Sequence, residues 1–145
     1  MAQNLLNCCD KNRKQSVVMA STLSEKSTPS SEMRTEQLEI LLKKAVSLHQ
    51  QGQLEKTHQL YKQILSEDPD NVVTIQLSGV LAYQTNHFDL SLNLLSRAIS
   101  IKPDYAAAYA NRGNVLQELG RFDEALADFD RAISIKPDYA DAYIH

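Results

Sequence analysis

Two stretches decide how this chain folds: RAISIKPDYAAAY, beginning at Arg97, and RAISIKPDYADAY, beginning at Arg131. They differ only where Ala107 gives way to Asp141, and they lie 34 residues apart. Near-identity at a fixed offset marks an internal repeat, and the repeat sets the architecture before any single helix is considered. Pro69, Pro103 and Pro137 keep the same spacing, each followed by an aspartate (Asp70, Asp104, Asp138). So do Gly79 and Gly113, Phe88 and Phe122, and Ala98 and Ala132. Gly52 and Gly120 stand two periods apart with Asn86 midway between them. Three full units follow, 38–71, 72–105 and 106–139, and a fourth opens at 140–145.

Each unit reads as two helices. In the third, 106–119 is helical and Gly120 ends it, because glycine adopts the left-handed backbone that a helix C-terminus often requires. Asn86 does the same in the second unit, asparagine tolerating that region better than most residues. Over 121–135, Phe122, Ala125, Leu126, Phe129, Ala132 and Ile133 recur at spacings of three and four, which makes one apolar stripe. Pro137 stops that helix. Gly113, Ala125 and Ala132 offer little bulk, so the two helix axes approach closely, and Tyr109, Leu116 and Phe129 fill the space around them. These residues are read as core and not as a cofactor pocket.

A 34-residue helix–turn–helix unit with Tyr109, Gly113, Gly120, Ala125, Phe129, Ala132 and Pro137 in register resembles the tetratricopeptide repeat. The resemblance covers 38–145 and is weakest in the first unit. There Ala45 replaces the glycine and Thr57 and Ile64 replace the two alanines, while Gly52, Tyr61 and Pro69 hold the register. It implies an all-α fold, a right-handed superhelical solenoid of antiparallel helix pairs over 35–145. Residues 1–34, which include STLSEKSTPSSE, are too poor in large apolar residues to offset their chain entropy and are read as a disordered tail.

The resemblance also implies a function, a scaffold that holds an extended peptide or protein segment in a concave groove lined by the first helix of each unit. The matching positions are Leu42, Val46, His49 and Gln50; then Gln76, Leu77, Val80, Tyr83 and Gln84; then Ala110, Asn111, Asn114, Gln117 and Glu118. Tetratricopeptide domains that clamp a partner's terminal carboxylates use Lys, Arg and Asn where this chain has Leu42, Val46, Leu77, Ala107 and Asn111. Only Asn111 fits, so that clamp is not expected. The run AYANRGNVLQELGRFDEAL looks like the repeats preceding the catalytic domain of O-linked N-acetylglucosamine transferases, where an asparagine recurs along the groove. Asn111 and Asn114 match, but Lys43, Leu77 and His145 stand at the position of Asn111 in the other units. The alternative reading is therefore the substrate-binding arm of a protein O-glycosyltransferase whose catalytic domain lies elsewhere.

Composition narrows the classes further. The formal net charge of -3 argues against general nucleic-acid binding. No apolar run approaches the roughly 20 residues of a membrane span, and no secretory signal opens the chain, so a cytoplasmic protein is expected. Cys8 and Cys9 are adjacent and read as free thiols. His49, His58, His87 and His145 form no metal-ligand spacing, and no phosphate loop or nucleophile motif is present, so neither cofactor, metal nor catalysis is expected. Asp123, Glu124, Asp128 and Asp130 are read as a solvated helix face. Met19 and Met33 are candidate translation starts. The short fourth unit suggests a piece of a longer array, or self-association through an open end bearing Leu126, Phe129 and Ile133.

Overall fold

The computed structural model describes residues 30–138. Cys8, Cys9, Met19, His145 and the opening of the fourth unit lie outside them. Contacts divide the chain into two units, Met1–Gln37 and Leu38–His145. Of the first, only 30–37 are described. Ser31–Arg34, expected in the disordered tail, instead form the first turn of a helix. The cause is local: the Ser30 hydroxyl accepts from the Met33 amide at 3.3 Å, an N-cap that satisfies one of the open donors of a helix start.

Six helices follow: α1 Ser31–Gln50, α2 Leu54–Glu67, α3 Val72–Gln84, α4 Phe88–Ile101, α5 Ala106–Glu118 and α6 Phe122–Ile135. The described residues contain no strand. The helices form three pairs, each pair one repeat, in the manner of an α-solenoid.

The turn inside each pair is the same structure three times. Gly52, Asn86 and Gly120 have φ of 77°, 63° and 74°. Behind each, the next amide reaches back to close the helix: Gln53 to Leu48, His87 to Ala82, and Arg121 to Leu116. The left-handed residue lets one amide satisfy a carbonyl five residues earlier and turns the chain antiparallel within a few residues. Between repeats, Asn71 caps α3, its side-chain oxygen accepting from the Thr74 amide at 3.0 Å.

Small residues set how closely the paired helices meet. A Cβ added to Gly113 would lie 2.5 Å from the Phe129 ring, and one added to Gly79 would lie 2.7 Å from Leu95 Cγ. In the first unit Ala45 carries that methyl, and its counterpart of Phe129 is Tyr61. The core accepts both, with Ala45 0% and Tyr61 1% exposed. Tyr61 joins Ala45 and Leu81, with Leu42 and Leu77 packed beside them. A second cluster, Ile75, Ala98 and Ala108, ties the second unit to the third. Thr57, fully buried in place of alanine, donates its hydroxyl to the Gln53 carbonyl at 2.8 Å and leaves no orphaned polar atom.

Two expectations are corrected. The stripe on α6 is only half used: Ala125 and Ala132 are buried, Phe129 and Ile133 half-buried, but Phe122 and Leu126 are 64% and 60% exposed. The stripe is wider than the face that meets α5. Asp128 is not a solvated carboxylate either. It is 6% exposed and receives two hydrogen bonds from Arg112, at 2.7 and 2.8 Å. Burial of a carboxylate is tolerable only with such a partner.

Candidate peptide-binding groove

The positions expected to line a groove come from α1, α3 and α5. Helix geometry at 3.6 residues per turn keeps Leu77, Val80, Tyr83 and Gln84 on one side of α3 and Asn111, Asn114 and Gln117 on one side of α5. Most of these residues are half-buried; Gln50, Gln84, Gln117 and Glu118 are exposed, and Gln76 and Ala110 are buried.

Several of them are committed to the protein itself. Leu42 and Leu77 pack on the Tyr61 cluster. Gln76 is 6% exposed and its side-chain oxygen accepts from the Tyr105 hydroxyl at 3.4 Å, so it faces the core and not a partner. His49 is the hub of the first unit. The Tyr61 hydroxyl donates to its Nδ1 at 2.8 Å, which leaves the Nε2 proton to donate to Gln84 Oε1. Burial pushes the Tyr61 hydroxyl up to about 12, so it remains a donor throughout the physiological range. The two rings meet edge to face with centroids 5.8 Å apart. Tyr83 donates to Glu118 Oε1 at 3.3 Å, and burial first, then the Glu118 charge and that bond, raise its hydroxyl above the ordinary tyrosine value.

Asn111 and Asn114 behave differently. Both are half-buried, and neither side-chain amide is hydrogen-bonded to another described residue. Val46 and Val80 add half-buried aliphatic surface on the neighbouring helices, and Gln117 adds a further amide. The arrangement offers donors, acceptors and apolar surface, with no cation at the positions a carboxylate clamp would need.

On the other side of α5, Arg112 reaches both Asp128 and the Ser96 hydroxyl, joining α4, α5 and α6. Its hydrogen bonds to Asp128 raise the guanidinium above its ordinary value against a smaller effect of burial. Arg112 and Arg131 lie over the Tyr109 ring at 5.6 and 6.0 Å from its centroid. Sequence reasoning missed this network. Its one visible signal was an arginine and an aspartate, 112 and 128, where the second unit has Ser78 and Leu94. Among the described residues no cluster of His, Cys, Asp or Glu is arranged to hold a metal ion, and no helix is long and apolar enough to cross a membrane.

Stacked helix pairs with an open side-chain face define a helical-repeat interaction module. A tetratricopeptide repeat family model matches residues 106–139 and a second TPR repeat model matches 79–120, so the chain carries tetratricopeptide repeats over 79–139. No curated protein matches its sequence. Among solved structures it is similar to MamA, with 26% identity and a TM-score of 0.66 over 73% of this chain. It is also similar to a mutant O-GlcNAc transferase from Thermobaculum terrenum, with 26% identity and a TM-score of 0.72 over 77% of this chain. The chain spans 62% of the former and 21% of the latter. The first TPR domain of Spaghetti (RPAP3), solved with the HSP90 peptide SRMEEVD, shares the fold at 22% identity and a TM-score of 0.66, over 70% of this chain and 81% of that one.

Proposed function

We propose that this protein is an interaction scaffold whose α1, α3 and α5 faces hold an extended peptide. Asn111 and Asn114 carry the reading. Two amides one turn apart, each offering a donor and an acceptor, match the alternating N–H and C=O groups of an extended backbone. Backbone recognition of that kind tolerates many side chains, and Val46, Val80 and the ring of Tyr83 supply the apolar contacts that favour some over others. The peptide-bound tetratricopeptide neighbour supports the mode of binding, though not its chemistry: the positions of a carboxylate clamp hold Leu42, Val46, Leu77 and Ala107 here. The transferase-arm reading has no support beyond the shared repeat fold and the two asparagines.

The test is selection of peptides from a random display library on the intact protein, followed by measured affinities. Asn111→Ala and Asn114→Ala are each expected to weaken the selected peptides about fivefold to tenfold, the value of a backbone-directed hydrogen bond. Unchanged affinity in both variants, with the fold intact by circular dichroism, rejects the groove as the binding face.

A further inference from the structure

A cavity of about 530 Å³ lies on the side of α3 that faces away from the groove positions, between α2 and α4. Its walls are Leu54 and Leu65 of α2, Leu81 of α3, and Leu90 and Leu94 of α4. The same place one repeat later is a cavity of about 330 Å³ between α4 and α6. Seven of the eight residues that line the smaller cavity have their counterpart, 34 residues earlier, in the lining of the larger one. Ser78, His87, Leu90 and Leu94 in the first cavity become Arg112, Arg121, Glu124 and Asp128 in the second.

That exchange makes one site smaller and lines it with charge, and leaves the other larger and apolar. In the third unit Arg112 fills the floor and is pinned by Asp128. At the rim Arg121 is bonded to Glu124 at 2.9 and 2.7 Å, and those bonds lower the Glu124 carboxyl below its ordinary value. In the second unit a serine replaces the long arginine and a leucine replaces its aspartate. The space is left unfilled and lined by hydrocarbon, with Leu90 51% exposed at its mouth. A concave, leucine-lined space of this volume is within the range of small-molecule sites, roughly 300–1,000 Å³.

The polar groups around it are not balanced. His58 and Lys62 lie one turn apart on α2, both exposed, and neither is bonded to another described residue. His87, the residue before α4, is turned toward Thr85: the Thr85 hydroxyl donates to the Leu81 carbonyl at 3.0 Å, so His87 Nδ1 donates to Thr85 at 2.9 Å and its Nε2 is an acceptor that adds nothing to the binding of an anion. Glu55 is the one carboxylate in the lining. It sits about 10 Å along the α2 axis from Lys62 and one turn from His58, so Lys62 is the cation farther from it. An uncommitted ammonium and the His58 imidazole beside a hydrocarbon floor are complementary to a molecule with an aliphatic body and an anionic end.

We propose that this second-unit cavity binds an aliphatic carboxylate, its chain among the five leucines and its head group at Lys62 and His58. The site is separate from the groove on α1, α3 and α5 and does not depend on it.

The probe is decanoate, titrated below its micelle concentration into the intact ¹⁵N-labelled protein. Saturable shifts are expected at the amides of Leu54, Lys62, Leu90 and Leu94, with Asn111 and Asn114 unmoved. Lys62→Gln is expected to weaken binding about threefold, the effect of a partly exposed ion pair. Decan-1-ol, which lacks the anion, should bind more weakly by a similar factor. Ser78→Arg with Leu94→Asp recreates the ion pair that occupies the floor of the third-unit cavity and should abolish the shifts. Leu90→Glu, at an exposed position, should do so without touching the core. Absence of saturable shifts, equal binding of decan-1-ol and decanoate, or undiminished binding in a folded Leu90→Glu protein overturns the proposal.

Discussion

The Tyr83 hydroxyl donates to Glu118, 35 residues along the chain, and the contact repeats one unit earlier where His49 meets Gln84, again 35 residues on. Each joins the last turn of one first helix to the last turn of the next. The two pairs use different chemistry, imidazole to amide and phenol to carboxylate, at one geometric position. The deeper pair is His49, because it also receives the buried Tyr61 hydroxyl. Replacing His49 with alanine strands that hydroxyl in the core. The expected cost is about 1–3 kcal/mol in urea unfolding, against under about 1 kcal/mol for Tyr83→Phe, whose bond is exposed. Equal costs would mean that His49 does not anchor Tyr61.

Tyr61 also makes stability depend on alkaline pH. Its hydroxyl ionises near 10 in the unfolded chain and near 12 in the folded protein. Above pH 10 the unfolded state sheds a proton that the folded state keeps, so unfolding is favoured as pH rises. The contribution is complete below pH 10 and is lost progressively up to about pH 12, amounting to about 2 kcal/mol. Tyr61→Phe should be less stable at neutral pH yet show a shallower fall between pH 10 and 11.5. Parallel curves for the two proteins would refute the burial of that hydroxyl.

Gly113 has no room for a methyl group. Gly113→Ala places a carbon against the Phe129 ring, which must move, and the expected loss is about 1–3 kcal/mol. Gly113→Ala with Phe129→Leu restores space at the contact and should recover part of it. A Gly113→Ala protein with an unchanged denaturation midpoint would show that α5 and α6 separate more freely than this packing allows.

Arg112 and Asp128 should respond unequally to single and double replacement. Asp128→Ala leaves a half-buried guanidinium without its partner and Arg112→Met leaves a buried carboxylate, each at an expected cost of about 2–4 kcal/mol. The double replacement Arg112→Met with Asp128→Leu removes both charges and is expected to cost less than either single change. A double-mutant cycle in chemical denaturation measures this; strictly additive losses would mean the pair is not coupled.

Phe122 and Leu126 lie on the surface, so Phe122→Ser with Leu126→Ser should leave the unfolding midpoint within about 0.5 kcal/mol of the parent. Sedimentation velocity across a concentration series on both proteins tests whether this patch joins copies. Association in the parent that vanishes in the variant assigns the contact to α6.

The repeat itself was legible in the residues. Proline, glycine and asparagine at fixed offsets act through the backbone alone, so their positions in the sequence are also the ends of α1 to α6. The three left-handed turns at Gly52, Asn86 and Gly120 needed no tertiary information. Gly79 and Gly113 were equally readable, because a missing side chain in a repeated helix implies a close neighbour. Residues 31–34 were misread because one serine cap outweighed a polar, uninformative composition.

Side-chain commitment was decided elsewhere. Periodicity gives the face on which a residue lies, and the resemblance to the tetratricopeptide repeat placed Gln76, His49 and Asn111 together as groove positions. Only packing of one unit on the next turned Gln76 inward to Tyr105, tied His49 between Tyr61 and Gln84, and left Asn111 and Asn114 open. The same limit applied to Asp128, whose sequence neighbours are charged and whose spatial neighbour is Arg112 on another helix. Secondary structure in this protein follows from local backbone preference, which one segment carries within itself. Burial, pairing and cavity follow from contacts between residues on different helices, which exist only once the helices have stacked.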